Sequence, residues 1–201
     1  RQGLDTAQVV VTDGGRRQEI RLPEGTITMT AEQQGDEYEL TFTCQGTLPE
    51  LPRLGIVMAL PDDYNRVEWY GLGPWDNYPD RQAACTIGKW TSTVAEQYTP
   101  YARPQDSGSH GSCAYVALRN GTGKTIRVEA IGEPFAFSAL PYSARELATK
   151  NHHYELRPDG HTYLSIDCAV LGLGNSSCGP GVLKRYAIDK STTHRLRFRI
   201  R

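Results

Sequence analysis

Short runs of alternating or β-branched apolar residues recur along the whole chain, and Gly, Pro, Asn or Asp closes nearly every one of them. The pattern predicts strands over Gln8–Thr12, Arg17–Leu22, Thr26–Ala31, Glu37–Cys44 and Leu54–Leu60. Further strands are predicted over Arg66–Tyr70, Cys113–Arg119, Thr125–Ile131, Phe135–Ala139, His161–Val170 and His194–Ile200. The one helical candidate is Ser143–Lys150, where Ser143 is placed to cap and Glu146 follows at capping-box spacing. No strand–helix–strand alternation occurs, which excludes a barrel of parallel strands and leaves an all-β antiparallel sandwich.

The chain has 201 residues. A chain of this length buries roughly 70% of the surface it exposes when unfolded, enough for one sizeable core, so 1–201 reads as a single domain. Lys and Arg number 22 against 23 Asp and Glu, a balance that argues against nucleic acid as the main partner. No apolar run approaches the ~20 residues that would span a bilayer, no signal peptide is visible, and no membrane partner is expected. The chain begins at Arg1, and Met29 and Met58 both lie inside predicted strands, so it reads as a piece of a longer polypeptide. The five cysteines are odd in number and widely spaced, which argues against a disulfide scaffold or a structural zinc site and for small buried apolar groups.

Several apparent motifs lose their mechanism on inspection. Gly123-Lys124-Thr125 resembles the end of a phosphate loop, but Leu118 stands where the first Gly belongs and the next residues read as strand, leaving no helix N-terminus for phosphate. Gly172-Leu173-Gly174-Asn175-Ser176-Ser177 lacks the third Gly of a dinucleotide fingerprint, and both segments read as turns. No Gly-x-Ser-x-Gly elbow is present. His152 and His153 are adjacent, and neighbouring strand residues point to opposite faces, so they make a poor metal pair. The last strand alternates Arg195, Arg197, Arg199 and Arg201 with apolar residues, as a half-buried final strand does.

The densest chemistry lies between Val67 and Tyr101. Trp69, Tyr70, Trp75, Tyr78, Trp90, Tyr98 and Tyr101 are interleaved there with Asp76, Asn77, Asp80 and Arg81. Aromatic faces beside Asn, Asp and Arg suit a sugar site, because ring faces stack on sugar C–H groups while hydroxyls need planar polar partners. The same composition also suits an aromatic core in which Arg81 pairs with Asp80 or Asp76 to hold a corner. Both readings stay open at this level.

Trp69-Tyr70-Gly71-Leu72-Gly73-Pro74-Trp75-Asp76-Asn77-Tyr78-Pro79-Asp80-Arg81, followed by Tyr98-Thr99-Pro100-Tyr101 and Pro104-Gln105, closely resembles the C-terminal domain of glycoside hydrolase family 2 β-galactosidases. The resemblance continues through His152, Tyr154 and Leu156, Leu164-Ser165-Ile166-Asp167, and Gly172 to Pro180. It is strong over 52–201 and weak, in strand pattern only, over 1–51. It implies a large antiparallel β-supersandwich of the galactose-mutarotase-like type, the last domain of a bacterial enzyme, cytoplasmic or periplasmic. The parent would hydrolyse terminal β-galactosides with retention, using two glutamates on a (β/α)₈ barrel outside this piece. The domain itself would be non-catalytic, with no cofactor of its own. Any Mg²⁺ or Na⁺ of the parent would be held elsewhere, and the parent could be a homo-oligomer.

The resemblance also implies a loop at the mouth of the parent's active site, comprising Asn175, Ser176, Ser177 and Cys178. Cys178 occupies the place of a family Trp that stacks on substrate, which removes the stacking face. At Pro104–Gly111 the family's Glu-Asn and an Arg near His110 are missing, so His110 keeps a donor without a guanidinium fork. Trp75, Asn77, Tyr78, Asp80, Arg81, Tyr101, His110 and His152 stand as sugar-facing or structural candidates. Two alternatives compete with the non-catalytic domain. One is an autonomous carbohydrate-binding module using the Trp69–Tyr101 aromatics on a concave sheet face. The other is a mutarotase-like epimerase with His152 and Asp167 facing each other across a sheet.

Overall fold

The computed structural model describes residues 7–175 and 179–201. Its thirteen described strands form two antiparallel sheets. The larger has nine strands in the order β1-β2-β3-β4-β13-β10-β9-β6-β7, and the smaller has four in the order β5-β12-β11-β8. The large sheet comprises β1 (Gln8–Thr12), β2 (Arg17–Leu22), β3 (Gly25–Gln34), β4 (Glu37–Gly46), β6 (Arg66–Gly73), β7 (Thr86–Thr93), β9 (Tyr115–Arg119), β10 (Thr125–Ala130) and β13 (His194–Ile200). The small sheet comprises β5 (Arg53–Pro61), β8 (His110–Cys113), β11 (Phe135–Leu140) and β12 (His161–Val170).

Period-two alternation decides which faces meet. Val67, Trp69, Val116, Leu118, Val128, Leu196 and Phe198 of the large sheet face Leu54, Phe135, Phe137, Leu164 and Ile166 of the small one, and all are buried. Burying each of these larger side chains contributes roughly 1.5–3 kcal/mol. On the opposite face of β13, Arg197 pairs with Glu39 at 3.3 Å and Arg199 with Asp36 at 3.4 Å and with Glu37, while Arg201 reaches Glu129 at 3.6 Å. Arg197, Arg199 and Arg201 of the final stripe therefore meet acidic partners on or beside neighbouring strands.

Two departures from the sequence pattern have physical causes. β7 is unforeseen because it is an edge strand whose outward positions are exposed, leaving a weak apolar signal. The single run expected over Cys113–Arg119 is a corner: β8 ends in the small sheet at Cys113 and β9 begins in the large sheet at Tyr115, with Ala114 between them. Helix α1 (Val94–Gln97) carries a complete capping box, in which Glu96 N donates to Thr93 Oγ1 at 3.3 Å and Thr93 N donates to Glu96 Oε2 at 3.0 Å. In α2 (Ala144–Thr149) only half of the expected box forms: Glu146 N donates to Ser143 Oγ, but the Glu146 carboxylate turns away to accept from Arg157 N at 3.0 Å. No helix among the described residues is long and apolar enough to cross a membrane.

The sheets are unequal, and the large one overhangs. Along one inner row Val9 opposes Ile20 and Ile20 opposes Ile27. Ile27 is buried under β5, whereas Val9 is 60% exposed. A cavity of about 570 Å³ lies between Val9, Ile20 and Met29 on one side and Leu54 and Ile56 of β5 on the other. β5 has a strand neighbour on one side only.

Candidate functional site

The turn after β6 and the loop after β12 meet at one end of the sandwich. Asp80 makes the junction: its Oδ1 accepts from Leu173 N at 2.9 Å and its Oδ2 from Gly174 N at 2.7 Å. Gly172 permits that approach, since a Cβ there would lie 2.7 Å from the same carboxylate. Asn175 N then donates to Pro180 O, closing the base of the loop. Ser176, Ser177 and Cys178 lie outside the described residues, so only Asn175 of the expected lip is placed, and it is exposed.

Asn77 is a staple rather than a surface group. Its backbone N–H donates to Ser109 O, its Oδ1 accepts from Gly111 N at 2.8 Å, and its Nδ2 donates to Trp75 O at 3.1 Å, all with the residue 1% exposed. Tyr78 is also buried, with no hydrogen-bond partner for its hydroxyl among the described residues. Burial raises its pKa well above the phenol range, and the Asp106 and Asp76 charges act in the same direction. Of the two pairings open to Arg81, the one formed is with Asp76, at 2.8 Å, and it is half-exposed rather than a buried corner. The Tyr101 hydroxyl also interacts with this guanidinium. A cleft of about 440 Å³ runs beside the junction, bordered by Asn77, Tyr78, Phe135, Cys168 and Tyr186.

The aromatic stretch divides between two roles. Trp69 lies in the core, its ring 4.3 Å from His110 and 5.7 Å from Phe137, and its Nε1 donates to Leu72 O. Trp90 is half-buried, whereas Trp75 is 67% exposed at the lip. A single concave platform built from all of these rings is therefore absent among the described residues. His110 is buried in the same core, with Nε2 2.6 Å from Gln97 Oε1, so it does not face a sugar. Desolvation pushes its pKa down to about 4.

The expected His152–Asp167 pair is not assembled. His152 is exposed and stacks on Tyr154 at 5.1 Å, whereas Asp167 is buried on the outer face of the small sheet. There, Asp167 Oδ2 lies 3.5 Å from Arg53, which also donates to Asp106 at 2.5 Å and to Ser138 Oγ at 3.3 Å. Burial lifts the Asp167 pKa to about 7 against the lowering effect of Arg53. This trio is the polar cluster that the sequence reading missed as a unit. The local signal was an aspartate in the largely apolar second half of β12, Ile166 to Val170. No three His, Cys, Asp or Glu side chains converge on a possible metal position among the described residues.

Fold and site together define an antiparallel all-β sandwich whose candidate site is built from connecting loops and latched by one carboxylate. The chain belongs to the β-galactosidase small-chain family, whose model matches residues 5–200, including the N-terminal strands where the motif resemblance is weak. It is 35% identical to a β-galactosidase of Actinobacillus pleuropneumoniae over 72% of this chain and 14% of that protein. It is 36% identical to one of Vibrio vulnificus strain YJ016 over 80% and 15%, and 32% identical to one of Staphylococcus xylosus over 82% and 16%. The chain thus spans well under a fifth of these relatives.

Proposed function

We propose that this chain is a non-catalytic domain of a β-galactosidase of glycoside hydrolase family 2, completing the parent's fold and lining the mouth of its active site. The observation that carries the reading is the overhang. An apolar inner face on β1–β3 runs past the last strand of the small sheet, beside an edge strand paired on one side only, a surface that further chain of the same enzyme would cover.

Chemistry supports the division of labour. Retaining hydrolysis needs two carboxyl groups roughly 5 Å apart facing the glycoside. Asp106 here pairs with Arg53, and Asp167 is buried beside the same guanidinium with its pKa pushed up by burial. The hydrolytic pair, the barrel and any Mg²⁺ or Na⁺ then belong to the rest of the parent. This chain's part is to hold the loop at Asn175 and the residues after it in place from below, through Asp80.

The test replaces the matched stretch of a β-galactosidase with this chain and, in parallel, deletes it. The expected result is hydrolysis of an aryl β-galactoside by the chimera and loss of at least two orders of magnitude in kcat/KM in the deletion. A deletion with unchanged kcat/KM would overturn the reading.

A further inference from the structure

β5 is an edge of the small sheet and pairs along one side only, with β12. The backbone bonds just beyond its two ends show which of its groups that pairing uses. Asp62 N donates to Gly160 O, and Pro52 O accepts from Leu171 N. Successive residues of an antiparallel ladder turn their N–H and C=O groups to opposite sides, so the even-numbered residues between these two bonds address β12. The backbone groups of Gly55, Val57 and Ala59 therefore point to the open edge, where no described residue bonds to them.

Open sheet edges are normally kept short, charged or interrupted by proline, because a free row of N–H and C=O groups recruits another strand. The other three edges are guarded in this way: β8 has four residues, β1 has five, and β7 carries Lys89 in its middle. β5 is not guarded. It is nine residues long, with neither charge nor proline between Leu54 and Leu60.

The surface beside that edge is apolar as well. The cavity of about 570 Å³ is bordered by Leu54, Gly55, Ile56 and Val57 of β5 and, below them, by Val9, Ile20 and Met29. β3 lies under β5, whereas β2 and β1 continue past it, each displaced by one strand spacing of roughly 4.8 Å. One or two further strands would fit there. Side chains alternate along a strand, so every second residue of an added strand would enter the cavity while its backbone bonded to β5. The partner this surface fits is thus an extended segment with apolar residues at alternate positions. The chain covers only 14–16% of its β-galactosidase relatives, so the parent has ample further chain to supply one.

We propose that a strand of the parent β-galactosidase from outside residues 1–201 adds to the open edge of β5, bonding to Gly55, Val57 and Ala59 and placing alternate apolar side chains over Val9, Ile20 and Met29. The inference rests on the reading of this chain as part of such an enzyme. It names how the overhang is covered, by extension of the small sheet.

The experiment is hydrogen exchange resolved at single amides, in the chimeric β-galactosidase described above and in the 201-residue chain at low micromolar concentration. The Gly55, Val57 and Ala59 amides are expected to exchange at least a hundredfold more slowly in the chimera, while Ile56 and Met58, whose amides address β12, are protected in both. Equal exchange of the three amides in the two samples overturns the proposal, whether they are open in both or covered in both by a second copy. Val57→Pro removes one outward N–H and spares the ladder to β12. It is expected to restore fast exchange at Gly55 and Ala59 in the chimera, and unchanged protection there also overturns the proposal. Where the chimera does not fold, exchange at the matched positions of the recipient enzyme decides in the same way. An open β5 edge in an enzyme that the deletion still inactivates would remove this inference and leave the functional reading standing.

Discussion

His110 and Asp167 are buried titratable groups whose pKa values move in opposite directions, and they contribute opposing terms to the acid response of the fold. His110 falls from 6.5 to about 4 because desolvation penalises the imidazolium. Between those values the unfolded chain binds a proton that the folded chain does not, so stability rises with pH. Asp167 rises from 3.8 to about 7, again by desolvation, so over that window the folded chain keeps a proton that the unfolded chain has lost and stability falls as pH rises. From about pH 4 to 6.5 the two slopes oppose each other, each limited to about 1.4 kcal/mol per pH unit. Denaturant unfolding at pH 4.5, 5.5 and 6.5 is therefore expected to show Asp167→Asn gaining stability with rising pH and His110→Gln losing it. Single variants that keep the wild-type slope would refute this assignment.

At the level of elements, the described start of the loop after β12 is held by the backbone bonds Leu171 N to Pro52 O and Gly172 N to Tyr186 O and by a carboxylate from the turn after β6. The two Asp80 bonds to Leu173 N and Gly174 N are charge-assisted, a type that contributes about 1.5–3 kcal/mol each. Asp80→Ala is expected to speed hydrogen exchange of the Leu173 and Gly174 amides by at least tenfold while the β6 and β12 amides keep their protection. Unchanged exchange at these two amides would mean that the loop is held by something else. By contrast, the turn that carries Asn77 is latched by two bonds to β8 and the residue before it, Gly111 N to Asn77 Oδ1 and Asn77 N to Ser109 O, and braced internally by Asn77 Nδ2 to Trp75 O, so it forms part of the rigid scaffold under the lip.

For the whole molecule, the mismatch of nine strands over four leaves Val9 and Val11 on an open apolar row, 60% and 56% exposed. An apolar face of this kind drives association when its natural cover is missing. The isolated chain is expected to self-associate with rising concentration in light scattering, and the double variant Val9→Lys, Val11→Lys to remain monomeric with stability within about 0.5 kcal/mol of the parent. A wild-type chain that stays monomeric at hundreds of micromolar would remove the overhang as an interface.

Strands such as β1, β2, β12 and β13 were legible to the residue, because alternation is a local consequence of the pleat and needs no knowledge of partners. The motif from Trp69 to Arg81 likewise marked the correct family. The roles within that motif were not legible. Asn77 finds Gly111, 34 residues away, and Asp80 finds Gly174, 94 residues away. Arg53, Asp106 and Asp167 come from three separate segments, and only the stacking of sheet, loop and helix closes water out and makes their charges interact strongly. The linear order of residues determined that the chain forms antiparallel strands and to which family they belong. Which rings are core, which carboxylate is a latch and where the clefts open were decided by packing, because burial and long-range pairing exist only once the two sheets have met.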